Sequence, residues 1–256
     1  MTQRLLAFLF PALGLSLLSS IAFSQVFTTM TYNIRHGLTT KNQSNLSRVS
    51  ELIRVNKVDI VALQEIDSAT VRSLGRNQTK FLAKETKMKA VFAKAVAEKQ
   101  GSYGLAILSR YPIIASQIVQ LPSPEEGASR VLLCAYVELP TGKTVRFCTT
   151  KLDPHSAQNR TAQAAIITAL LKESIQPVVW AGDFHSHTDD PIIQKMARYW
   201  QYAGLNINQI TFPELASRFD YILTRPNNEM SQLTYRVIKE NRTSDHYPVI
   251  ASFRLK

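Results

Sequence analysis

The sequence predicts an α/β fold of two packed β-sheets covered by helices, and three observations carry that expectation. Short β-branched and aliphatic runs alternate with amphipathic segments along the chain after residue 25, the pattern of a layered α/β domain. The middle is dominated by strand-like runs separated by hairpin-type turns. The 256 residues are 45% hydrophobic and 19% charged, with no internal repeat, low-complexity tract or linker. That composition suits one large domain with a well-buried core and fits neither disorder nor a fibrous repeat.

The first 24 residues are set apart from this pattern. Met1-Thr2-Gln3-Arg4 precedes an apolar stretch from Leu5 to about Leu18, and Ala22-Phe23-Ser24 stands before Gln25. A short basic start, an apolar core and small residues at the end define a secretory signal peptide cut near Ser24. Residues 1–24 are therefore expected to be removed and 25–256 to form the folded domain, exported to the periplasm or secreted. The alternative is an uncleaved anchor helix, the one route to membrane contact, but the run is near the lower limit for spanning and contains Pro11. No Cys follows the run, which excludes a lipoprotein anchor.

Residues 26–34 read as a strand, followed by a helix from about Asn45 with Leu46, Val49, Ile53 and Asn56 at helical spacing. Residues 59–63 form a short apolar run that reads as a buried strand delivering Gln64 and Glu65 at its C-terminal end. A helix is predicted over 78–87, and strands over 89–97, 104–108, 113–121, 130–139 and 144–152. Ser156 is a candidate N-cap for a helix to Lys172, with Ala162, Ala165, Ile166, Ala169 and Leu170 as its apolar face. Residues 177–181 form a buried strand that opens into Gly182-Asp183-Phe184-His185, and 218–224 and 248–254 read as two further strands.

Lys and Arg number 30 against 19 Asp and Glu, a formal net charge of +11, which attracts polyanions. No dense basic block appears, so the same balance also fits plain solubility. Cys134 and Cys148 are too few and too far apart for a zinc cluster. They lie on two arms of a predicted hairpin around residues 140–143, where they either pair across the strands or stay as buried thiols.

The chemistry lies in polar residues at strand ends. Asn33 ends the first strand, Glu65 the next and Asp183 a third; Asp220 lies early in the strand Phe219-Asp220-Tyr221-Ile222-Leu223, and Asp245-His246 precede the last. Carboxylates facing a core are costly without partners, whereas at one rim they can share a cation. Glu65 and Asn33 offer the oxygen donors that suit magnesium. Asp183 can orient or deprotonate an attacking water, and His246, held by Asp245 or by a carboxylate brought near in the fold, can donate to a phosphate.

Six blocks occur in order: Thr31-Tyr32-Asn33-Ile34-Arg35, Ala62-Leu63-Gln64-Glu65-Ile66, residues 103–113 from Tyr103-Gly104 to Tyr111-Pro112-Ile113, Gly182-Asp183-Phe184, Asp220-Tyr221-Ile222 and Ser244-Asp245-His246-Tyr247-Pro248-Val249. Together they resemble the endonuclease/exonuclease/phosphatase superfamily, which includes deoxyribonucleases, apurinic-site endonucleases, sphingomyelinases and inositol-polyphosphate phosphatases. The resemblance covers essentially the whole chain after the first 24 residues. It implies a four-layer sandwich of two mixed, mainly antiparallel sheets packed face to face and flanked by helices. It also implies a metal-dependent phosphoric ester hydrolase with magnesium, or manganese, held by Glu65, Asn33 and Asp245. Asp183 then stands beside the attacking water, Asp220 supports the phosphate pocket and Asp245-His246 complete it. Tyr103, Arg72 and Arg160 fall where relatives place substrate-contacting or structural polar groups; for the arginines a solvated surface ion pair is the other reading.

Two positions depart from the family pattern. The Gly-Asp-Phe block continues with His185 where the family carries Asn, and a Thr-His-Leu-Asp block reads Thr150-Lys151-Leu152-Asp153. Lys151 offers a positive donor and His185 can donate, accept or ligate, so both stand with Asp183, Asp220, Asp245 and His246 as candidate catalytic residues. Two functions follow: a phosphoesterase with an altered phosphate pocket, or a weak or inactive relative that binds a phosphate ester or nucleic acid outside the cytoplasm. The expected partner is a phosphate-ester substrate, with nucleic acid among the options; no protein partner is indicated.

Overall fold

In a computed structural model of the chain the described residues are 25–204, 209–226 and 229–256, so the expected signal segment lies outside them. Period-two alternation decides which layer each side chain joins. In β1 (Gln25–Asn33) Phe27 faces one core while Met30 and Tyr32 face another. The same split separates Ile60 and Ala62 from Val61 and Leu63 in β2 (Ile60–Ser68). Because both faces of the central strands are buried, consecutive positions are apolar over stretches such as Ile60-Val61-Ala62-Leu63 of β2, while β1 fills some of its buried places with Thr.

The remaining elements are α1 (Leu46–Val55), α2 (Gln78–Thr86), β3 (Lys89–Glu98), β4 (Gly101–Ser109), β5 (Ile113–Gln120), β6 (Val131–Glu138), β7 (Thr144–Lys151), α3 (Ala157–Lys172), β8 (Val178–Asp183), α4 (Pro191–Met196), β9 (Gln201–Tyr202), β10 (Asp220–Thr224), β11 (Met230–Val237) and β12 (Val249–Leu255). They build two six-stranded sheets, ordered β11-β12-β1-β2-β4-β3 and β5-β6-β7-β8-β10-β9. Each sheet has one parallel pair, β1 with β2 and β7 with β8, and is otherwise antiparallel. Phe27, Ile107, Phe147, Ala181, Ile222 and Phe253 are among the residues filling the space between the sheets. Leu46, Val49 and Ile53 of α1 and Leu82 of α2 close the outer face of the first sheet, and Ala164, Ile167 and Leu171 of α3 with Ile193 and Met196 of α4 close that of the second. This is the expected four-layer sandwich.

The structure corrects the sequence reading in three places. The face predicted for α3 is the wrong one: Ala165, Ile166 and Ala169 are exposed, while Ala164, Ile167 and Leu171 are buried with Asn159 and Gln163. Apolar residues occur on all sides of this helix, so spacing does not choose a face. The polar pair does: Asn159 Oδ1 accepts from the Glu125 N–H, and Gln163 holds the Asp153 N–H and the Pro122 carbonyl. Glu65 does not end its strand either. It has φ +58° and sits on a bulge in β2, between the Gln64–Leu105 and Ile66–Gly104 pairs, and bulges re-aim side chains. The strand predicted from Arg218 begins at Asp220. The open cysteine question resolves as a disulfide: Cys134 and Cys148 are directly opposed in the β6–β7 ladder and bonded.

Candidate active site

Four of the candidate residues end rows of side chains that point between the sheets. Asn33 continues the row of Phe27 and Thr31; Lys151 that of Val145, Phe147 and Thr149; Asp183 that of Val179 and Ala181; and Asp220 shares the face of Ile222. The ladders align them, with Asp183 opposite both Lys151 in β7 and Asp220 in β10. Gly182 makes the β7–β8 approach feasible, since a Cβ there would stand 2.1 Å from the Thr150 carbonyl oxygen. One layer below the rim, the fully buried Gln64 amide donates to Thr31 Oγ1 at 3.1 Å and, across the gap between the sheets, to Thr149 Oγ1 at 2.9 Å.

At the rim, both sheets supply one charged cluster. The Lys151 ammonium lies 2.9 Å from Glu65 Oε1 and 2.7 Å from Asp183 Oδ2. Asn33 Nδ2 donates to Asp183 Oδ2 at 3.0 Å and to Glu65 Oε1 at 3.2 Å. His36 Nε2 is 3.0 Å from Glu65 Oε2. Burial opposes ionisation of these groups, but the opposite charges outweigh it. Lys151, then His36, hold the Glu65 carboxyl well below its usual range, and Lys151 and His246 hold Asp183 down to about 2. Reciprocally, Asp183 and Glu65 keep the buried Lys151 amine well above its ordinary value, so it is an ammonium.

His246 stands on the other side of Asp183, its Nε2 4.0 Å from Asp183 Oδ2. Its Nδ1 meets Asp220 Oδ2 at 2.8 Å, so the partner is Asp220, and Asp245 is engaged elsewhere, 3.3 Å from Arg35 Nε and beside Ser244 Oγ. The one Ser244 hydroxyl proton lies between Asp245 Oδ1 and the nearer Asn33 carbonyl, and the hydroxyl oxygen accepts from the His246 N–H, tying the last motif to the first. Burial disfavours the imidazolium, but Asp220 and Asp183 raise the His246 pKa to about 9. Burial also pushes Asp220 up, against the pull of His246.

The other candidates are distributed around this core. Half-buried His185 has φ +47° and its ring stacks on Phe219 with centroids 4.6 Å apart. Its Nδ1 is buried without a partner, and burial lowers its pKa to about 4 despite the nearby Asp183 charge. Arg72 forms a two-point pair with Asp67 at 2.6 and 2.8 Å and lies over the Tyr103 ring, which also packs on His36. Burial, then the Glu65 charge, pushes the Tyr103 phenol up to about 12. Arg160, in the first turn of α3, donates to the Asp153 carbonyl.

Two residues that the motifs did not single out belong to the site. His36 follows Asn33 closely, and its signal was that position alone. Arg130, just before β6, is 7% exposed and lines a small cavity with Tyr103 and Lys151. Among the described residues neither Arg130 nor Arg160 has a carboxylate within ion-pair distance.

Comparisons with known proteins bear on the family and the fold. The Endonuclease/Exonuclease/phosphatase family model matches residues 30–246. The uncharacterized protein YbhP of Escherichia coli (strain K12) is 30% identical over 171 residues, which cover 62% of this chain and 66% of that protein. The chain thus spans just under two thirds of the length of that relative. Among solved structures, an endonuclease/exonuclease/phosphatase of Beutenbergia cavernae aligns with a TM-score of 0.76 at 21% identity, over 90% of this chain and 72% of that one. The human Nocturnin catalytic domain, solved with bound sulfate, aligns at 0.72 with 16% identity, over 91% and 98%. At these identities the structural likenesses show the fold, and with the sequence match they lead to one assignment: the chain belongs to the Endonuclease/Exonuclease/phosphatase family, whose members are usually hydrolases.

Proposed function

We propose that the chain is an exported phosphoric ester hydrolase that uses a divalent cation, magnesium or manganese, to direct water onto a phosphodiester or phosphomonoester. The observation that carries this reading is the opposed state of two groups 4.0 Å apart: Asp183 is ionised, and His246, backed by Asp220, is protonated at neutral pH. A carboxylate with a pKa near 2 is a weak base. Its role is to orient water through a charge-assisted hydrogen bond. His246 can donate to a phosphoryl oxygen or give its proton to the leaving-group oxygen; Lys151, held as an ammonium, can donate a hydrogen bond but not shuttle a proton.

The donor set fits a hard cation. Glu65 and Asp245 carboxylates and the Asn33 amide oxygen are all oxygen ligands, and Asn33 Oδ1 accepts only the Arg35 N–H at 3.1 Å, leaving a lone pair. Among the described residues no three His, Cys, Asp or Glu side chains converge on one position, so a bound ion would keep waters for the substrate phosphate. When bound, it would neutralise phosphoryl oxygen charge and help align in-line attack.

The net charge of +11, with Arg130 lining the small cavity beside Lys151 and neither Arg130 nor Arg160 held by a carboxylate within ion-pair distance among the described residues, supports an anion-rich substrate such as nucleic acid. Export of a single 25–256 domain after loss of 1–24 is supported by the Cys134–Cys148 disulfide, a bond that persists in oxidising compartments.

Purified protein with magnesium or manganese is to be assayed on plasmid DNA, a bis-phosphodiester dye and a phosphomonoester. Turnover is expected with at least one of them, and loss of it in Glu65→Ala and Asp183→Ala. A rate that no metal raises above those variants removes the enzyme reading. It would favour the weak, ligand-binding relative, which is supported by His185 turning onto Phe219 and by Lys151 binding both carboxylates.

A further inference from the structure

Both oxygens of Glu65, the first sheet's principal cation ligand, already face positive or donor groups. Oε1 receives the Lys151 ammonium at 2.9 Å and Asn33 Nδ2 at 3.2 Å, and Oε2 faces His36 Nε2 at 3.0 Å. The same ammonium is 2.7 Å from Asp183, so one buried cation joins a carboxylate of each sheet. Two ionised carboxylates at one buried rim repel each other, and removing a partner from such a group leaves an uncompensated charge. A dication arriving at Glu65 therefore meets an ammonium already in contact with its ligand, and that repulsion weakens its binding.

We infer that Lys151 is an internal counter-cation for Glu65 and Asp183: it holds the metal-free rim together, competes with the divalent ion for Glu65, and, once displaced from Glu65, keeps Asp183 and turns to the substrate phosphate. The inference rests on the reading that the pocket takes a divalent cation, but its test does not require turnover. The departure of this chain from the His found in one family branch thereby becomes a device that sets metal affinity.

The test compares wild type, Lys151→Met and Lys151→Arg by calorimetric titration with manganese and by thermal melting, with and without the ion. Lys151→Met is expected to bind manganese at least about tenfold more tightly, while Lys151→Arg, which keeps the charge, stays within about threefold of wild type. Metal-free Lys151→Met should melt several degrees below wild type, and saturating manganese should close the gap. Glu65→Gln should abolish the binding heat. Unchanged or weaker manganese binding by Lys151→Met, no binding by either protein, or a melting gap that persists at saturation overturns the inference. If Lys151→Met does not fold without metal, rescue by manganese during refolding supports it and failure of rescue overturns it. Absence of turnover with these binding results intact would instead count against the hydrolase reading alone.

Discussion

Two histidines flank Asp183, and they hold opposite protonation states within one pocket. His246 is 4% exposed and His185 only half-buried, yet the more buried ring carries the charge, with a pKa raised to about 9 against about 4 for His185. The difference lies in what each ring touches. His246 Nδ1 has the Asp220 carboxylate at 2.8 Å, whereas His185 stacks on Phe219 with its Nδ1 unpartnered. Partnering, more than depth, decides ionisation here.

Replacing the carboxylate partner of His246 should have the largest effect. Asp220→Asn is expected to lower the rate roughly 100- to 10,000-fold and to move the alkaline limb of the pH–rate profile down from its wild-type position near 9. An unmoved limb would show that the pair does not govern the reaction.

Stability should respond to pH in opposite senses at the two rings. The folded value for His246, about 9, lies above its ordinary 6.5. Its contribution is therefore complete below about pH 6.5 and is lost as pH rises through 9. The value for His185, about 4, lies below 6.5, so its contribution is present above 6.5 and is lost as pH falls through 4. Melting temperatures measured across this range in wild type, Asp220→Asn and His185→Asn separate the two limbs; the alkaline loss should vanish only in the first variant.

The smallest effect is expected from His185→Asn itself. The ring makes no side-chain hydrogen bond to the acids of the rim, so the rate should change less than about fivefold, within the range of an ordinary surface contact. A large loss in kcat would show that His185 leaves Phe219 to act on substrate.

Much of this site is legible in the sequence because apolar strands carry it. Asn33, Asp183 and Asp220 stand at the ends of buried strands, where alternation fixes their side of the sheet, and His246 stands just before another. Lys151 was visible as an odd residue in a motif, but its two partners lie in other strands and, for Glu65, in the other sheet, beyond any local pattern. His36 depends on consecutive positive φ values at Arg35, His36 and Gly37, which residue spacing does not encode. In the fold, β11 carries no apolar signal because one side of this edge strand is exposed, and six-residue α4 is too short to show a period.

The pairing of β1 with both β12 and β2 also bears on how the molecule comes into being. Gln25 lies opposite Leu255 in that ladder, and the Asn33–Asp183 bond joins residues 150 positions apart. Contacts of such separation form late, after long loops have been closed. A growing chain therefore makes Glu65 long before Lys151 exists to neutralise it, and the first sheet waits for its final strand before its centre is complete. Formation of the Asn33–Asp183 rim on refolding will lag behind recovery of helix, because the rim exists only after the two sheets have met.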